Sequence, residues 1–137
     1  MDQIAFSVEM TCSYQQALEE VTEALKTEGF GVLTEIDVKA TLKEKLDENF
    51  RHYSILGACN PPLAHKALES NSLLGLMLPC NVTVEETDTG SLVNLINPNA
   101  ILISSPTFNN NPVLKEVAAE ATRRFERVAE ALSPNQQ

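Results

Sequence analysis

Seven apolar residues, Leu114, Val117, Ala118, Ala121, Phe125, Val128 and Leu132, recur at the spacing of one helix face. No other feature narrows so far what this chain can fold into. The stripe runs for about five turns. Asn111 followed by Pro112 supplies its start: a side chain that caps free backbone N–H groups, then a residue with no N–H to leave unpaired. A helix of that length gains little from its own hydrogen bonds and must bury its stripe against another layer. The remaining residues have to build that layer.

They read as strands and shorter helices. Residues 4 to 10 alternate, Ile4, Phe6, Val8 and Met10 on one face and Ala5, Ser7 and Glu9 on the other, which predicts a strand with one buried face. Ser13 with Gln16 is a capping-box pattern opening a helix whose stripe is Tyr14, Ala17, Leu18, Val21 and Leu25, closed by Gly29. Phe30, Val32, Leu33 and Ile36 predict a second strand, and Asp37 caps a surface helix carrying Val38, Leu42 and Leu46. A third strand is expected from His52 to Cys59, with Tyr53, Ile55 and Cys59 on one face. Asn60, Pro61 and Pro62 stop it, and Pro62 begins a short helix with Leu63, Ala64, Ala67 and Leu68. The fourth strand is expected to start near Leu78, with Leu78, Cys80, Val82 and Val84 facing one way and Asn81, Thr83 and Glu85 the other. Asp88-Thr89-Gly90 forms a hairpin turn to a fifth strand, Leu92 to Ile96. Pro98 ends it, and an asparagine-rich loop leads to the long helix. The order β-α-β-α-β-α-β-β-α predicts an α+β fold with a mixed or antiparallel sheet and helices packed on it. No repeat or linker divides residues 1–137, so one domain is expected.

Composition excludes some functions. Nineteen acidic against ten basic residues give a net charge of -9, which repels nucleic acid. Arg123, Arg124 and Arg127 cluster, but Glu116, Glu120, Glu126 and Glu130 lie among them, the pattern of a solvated helix face. No run approaches the roughly 18 apolar residues of a membrane span, and no basic leader precedes a hydrophobic block. With three cysteines, Cys12, Cys59 and Cys80, reduced thiols and a cytoplasmic location are expected. There is no glycine-rich phosphate loop, no His-Glu-x-x-His, no Cys-x-x-Cys and no serine nucleophile elbow.

One constellation remains. Gly57-Ala58-Cys59-Asn60-Pro61 ends the third strand and Leu78-Pro79-Cys80-Asn81-Val82 begins the fourth. If the strands are neighbours, Cys59, Asn60, Cys80 and Asn81 converge on one site. Two thiolates suit a thiophilic metal such as Cu(I) or Zn(II), with His65 or His52 as a further ligand. Alternatively Cys59 is a nucleophile, its thiolate favoured by free N–H groups at the helix start behind it. The asparagines would offer amide donors to an anion. Against these stands a plain reading in which both cysteines only fill the core.

Tyr53 to Pro61, with Leu63-Ala64 and Ala67-Leu68 behind it, and Gly75 to Val82 resemble a bacterial and archaeal family, domain of unknown function 302, over about residues 3 to 131. The resemblance implies a curved, mostly antiparallel sheet backed by helices, similar to one half of the TATA-binding-protein fold, and a homodimer. It brings no established activity or cofactor. The expectation is a cytoplasmic dimeric binding module with a pocket at Cys59, Asn60, Cys80 and Asn81, for a small anion, a thiol-reactive molecule or a thiophilic metal. The alternatives are a cysteine-dependent thiol or persulfide enzyme and a structural protein with core cysteines.

Overall fold

A computed structural model describes residues 3–133. Five strands, β1 (Ala5–Met10), β2 (Gly31–Asp37), β3 (Tyr53–Cys59), β4 (Cys80–Thr87) and β5 (Gly90–Ile96), form one open sheet in the order β1-β5-β4-β3-β2, every pair antiparallel. Alternation places the apolar residues of neighbouring strands side by side. Phe6 pairs Leu95, Leu95 pairs Val82 and Val82 pairs Leu56, while Val8, Val93 and Val84 form the next row. Ser54 ends that row, and its hydroxyl is hydrogen-bonded to the Tyr14 hydroxyl.

This face is covered by α1 (Tyr14–Thr27) and α6 (Pro112–Leu132). Ala17, Val21 and Leu25 of α1 are buried, as are Leu114, Ala118, Ala121, Phe125, Val128 and Leu132 of α6. Each helix has its expected cap: Ser13 Oγ accepts from the Gln16 N–H, and Asn111 Oδ1 from those of Val113 and Leu114. The Phe30 and Phe125 rings meet at 4.6 Å between centroids, joining the entry to β2 with the middle of α6. The buried polar residues Ser54, Asn60 and Ser91 are each hydrogen-bonded: beside the Ser54–Tyr14 pair, Ser91 Oγ donates to the Cys12 carbonyl, and Asn60 Oδ1 accepts from the Leu63 N–H.

The structure departs from the sequence reading in three places. β4 begins at Cys80, because Leu78 and Pro79 precede the ladder. The face of β3 turned to the helices carries Ser54, Leu56 and Ala58, so Tyr53 and Ile55 lie half-buried on the other side. The expected asparagine-rich loop holds two short helices, α4 (Pro98–Ile103) and α5 (Pro106–Asn109), each begun by a cap and a proline, Asn97-Pro98 and Ser105-Pro106. Between α3 (Pro61–Ser70) and β4 lies a 3₁₀ turn, Ser72–Met77; α2 (Val38–Leu46) sits on the surface with no buried residue. Among the described residues no helix is long and apolar enough to cross a membrane.

The arginines of α6 are tied to carboxylates. Glu120 receives Arg124 Nε at 2.8 Å and Arg123 Nη2 at 2.6 Å, while Arg124 also donates to the Glu28 carbonyl at the end of α1. The Arg124 and Arg123 hydrogen bonds hold the Glu120 carboxyl at about 2, below its ordinary 4.5. A depressed carboxylate stabilises the fold above its unfolded value and loses that contribution as pH falls through the folded one. Glu120→Gln is therefore expected to lower the Tm at pH 7 and to flatten the loss of stability between pH 4.5 and 2. Thermal unfolding across pH checks this, and a profile parallel to wild type would contradict it.

Candidate functional site

The end of β3 and the start of β4 are brought together by a contact with no side chain on one of its two partners. The last ladder pairs are Gly57 with Asn81 and Ala58 with Cys80. A Cβ on Gly57 would stand 2.6 Å from Pro79 Cγ and 2.2 Å from Thr34 Oγ1. Only glycine lets the Pro79 ring and the β2 side chain close over that position. The close approach seats Cys80 beside Ala58 and leaves Cys59 next to it, at the strand end.

Asn60 then turns the chain into α3. Its Oδ1 accepts from the Leu63 N–H at 3.2 Å and its carbonyl from the Ala64 N–H at 2.9 Å. Pro61 and Pro62 occupy the first helical positions and have no N–H. The free N–H groups expected to favour a Cys59 thiolate are therefore absent: every donor of the first turn is missing or already bonded. The Asn60 carboxamide is buried and its nitrogen lies against Gly29, whose φ of 83° closes α1.

Cys59, Asn60 and Cys80 line a 380 Å³ cavity. Phe30, Ala58 and Pro79 belong to its sheet wall, Ala64, Ala67 and Leu74 to the α3 side, and Ile101, Leu102, Leu114 and Ala118 to α4 and α6. Among the described residues no charged side chain lines it. Leu33 and Leu68 lie on the lining yet are 67% and 40% exposed, which marks the mouth between β2 and α3. Leu33 is turned out there by a bulge between Val32 and Thr34. The lid formed by α3 is tied to α6 at its surface by Lys66 and Glu116, 3.8 Å apart, and by Asn111 Nδ2 donating to Ser70 Oγ at 2.8 Å.

The other sequence candidates lie elsewhere. Asn81 is exposed on the sheet face opposite Cys80. The His65 side chain is 75% exposed and faces Glu69 at 3.2 Å, and His52 stacks on Tyr14 at the far end of β3. Among the described residues no three His, Cys, Asp or Glu side chains are grouped to hold a metal ion. The residues that the sequence reading missed are those of α4 and the small side chains Ala64, Ala67, Ala118 and Ala121. Their only signal was small size at helical spacing on two helices that had to meet.

Burial, and then the neighbouring Cys59 charge, push the Cys80 thiol up to about 11. At neutral pH it is a protonated, weakly polar wall of the cavity and a poor nucleophile. In the folded protein, Cys80 is expected to resist iodoacetamide until the pH approaches 11 and to react promptly once unfolded. Mass-mapped alkylation at stepped pH checks this, and full Cys80 modification of the native chain at pH 8 would contradict it.

The sequence profile described as domain of unknown function DUF302 matches residues 6–132. The fold is similar to the crystal structure of an uncharacterized conserved DUF302 protein from Bacillus stearothermophilus, with a TM-score of 0.84 and 29% sequence identity over 96% of this chain and 99% of that one. No curated protein matches the chain.

Proposed function

The chain belongs to the DUF302 family, and within it we propose a small-ligand binding module that takes a neutral, apolar molecule between α3, α6 and the thiol-bearing end of the sheet. The observation that carries this reading is the 380 Å³ cavity and its almost wholly apolar lining. Small-molecule pockets run from about 300 to 1,000 Å³, and an apolar hole of about 150 Å³ already accepts benzene. The lining also decides the ligand's character. An anion would find no cation among the described lining residues, and the Asn60 amide nitrogen, the donor it would need, lies against Gly29. Cys59 and Cys80 are then a soft, polarizable patch against which an apolar, thiol-compatible group packs.

Binding is expected for N-phenyl-1-naphthylamine, a neutral fluorophore that brightens in apolar surroundings. Fluorescence should rise saturably with one probe per chain. Ala118→Leu, which pushes three carbons into the cavity, should abolish that rise while holding or raising the Tm. Absence of saturable binding, or undiminished binding to a folded Ala118→Leu protein, would sink the proposal.

The module is proposed to act as a homodimer through β2. This edge strand exposes every residue except Val32, Leu33 and Ile36 included, at 67% and 49%. An uncovered apolar edge invites a second strand. Sedimentation equilibrium should return twice the 15.0 kDa chain mass, and Ile36→Lys should return a single chain mass. A monomeric wild-type protein at micromolar concentration, or an unchanged dimer in the variant, would exclude this edge.

A further inference from the structure

Two free thiols share the apolar cavity. Ala58 and Cys80 form the last ladder pair of β3 and β4, so Cys80 and Cys59, the residue after Ala58, stand at adjacent strand ends. Both line the cavity, Cys59 half-buried and Cys80 only 9% exposed. A charge on Cys59 raises the Cys80 thiol further, which puts each sulfur within the other's electrostatic reach. Cys12, the third free thiol, is not on the lining.

The donor set decides what such a pair can hold. Structural zinc takes four ligands, and among the described residues no His, Asp or Glu side chain joins the two thiols on the lining. A Cu(I) ion between two thiolates would leave a net negative charge where no cation faces it, and an uncompensated buried charge is costly. What fits is a centre that takes two sulfurs, stays neutral and carries an apolar body into the rest of the 380 Å³.

We propose that Cys59 and Cys80 together capture a trivalent organoarsenical, R–As(OH)₂ with an apolar R group, as a neutral adduct bonded to both sulfurs. The proposal rests on the apolar-ligand reading above and names the chemical class of that ligand. The step is a condensation in which nothing is oxidised or reduced. Each sulfur forms a bond to arsenic, one As–OH bond breaks, and the thiol proton leaves with the hydroxyl as water, giving R–As(S–Cys)₂ and two water molecules. Cys80 needs no free thiolate, because its proton passes to the departing hydroxyl. Cys59, the more accessible thiol, bonds first, and the second bond is then intramolecular. The R group packs on Ala64, Leu74 and Leu114.

The test treats the reduced full chain at neutral pH with phenylarsine oxide, which hydrates to phenylarsonous acid, and reads the intact mass. One phenylarsenic unit per chain, gained with loss of two hydrogens and removed by excess 1,2-ethanedithiol, is expected. A brief pulse of N-ethylmaleimide after unfolding should then modify Cys12 and spare Cys59 and Cys80. Cys59→Ser and Cys80→Ser, which leave one sulfur each, should weaken retention at least about a hundredfold. The adduct should also abolish the saturable fluorescence of N-phenyl-1-naphthylamine. An adduct that leaves Cys80 open to N-ethylmaleimide, one that uses Cys12, or undiminished retention in either serine variant would overturn the proposal. Should a serine variant fail to fold, the protection pattern of the wild-type chain still decides it. Saturable probe fluorescence without a two-sulfur adduct sinks the arsenical and leaves the binding module standing; absence of both removes the two together.

Discussion

The structure depends on covering one apolar sheet face with two helices of unequal reach. Row by row, Val8, Val93 and Val84, then Phe6, Leu95, Val82 and Leu56, need apolar partners, and α1 and α6 are the helices with long enough stripes. The stripe of α6 changes character along its length. Phe125, Val128 and Leu132 are large and fully engaged, whereas Ala118 and Ala121, nearer its start, are small and face the alanines of α3 across open space. Large residues close the core and small ones leave it unfilled. The same helix therefore stabilises the domain at one end and makes room at the other, and close packing elsewhere keeps that room from collapsing.

Much of this was legible from the residues because it rests on local periodicity. Five strand-like runs, two of them plainly alternating, became five strands, and the caps at Ser13, Asp37 and Asn111 became helix starts. Weighting the asparagines of 97–111 by composition concealed α4 and α5, although Asn97-Pro98 and Ser105-Pro106 are cap-and-proline pairs of the kind read correctly at Asn111-Pro112. The likeness of the two Cys-Asn motifs was misleading in half. One asparagine is a buried cap and the other an exposed strand residue, because strand alternation sends Asn81 away from Cys80, while Asn60 follows the end of its strand.

The cavity itself had no motif. A hollow is a deficit of volume summed over the sheet, α3, α4 and α6, and no single residue announces it. The cysteines stand at the cavity wall for a reason that their motifs did not show. They flank Gly57 and Pro79, and the missing side chain of the first under the ring of the second is what joins the two strand ends. The proline pair that opens α3 has a similar negative part. It removes two donors an anion would need, so the wall offers shape and polarity instead of backbone hydrogen bonds.

The strand order has a consequence for how the molecule is made. β1 and β2 follow one another in the chain yet occupy opposite edges of the sheet, and the neighbour of β1 is the last strand synthesised. As the polypeptide leaves the ribosome, Ala5–Met10 emerges with no mate, and its mate, Ile96 to Ser91, follows only after every other strand is out. Between those moments α1 can form, but its apolar stripe has no complete floor. Closure of the sheet is thus a late, long-range event, the slow kind of step in folding, and the growing chain carries β1 unpaired until Gly90–Ile96 has been made.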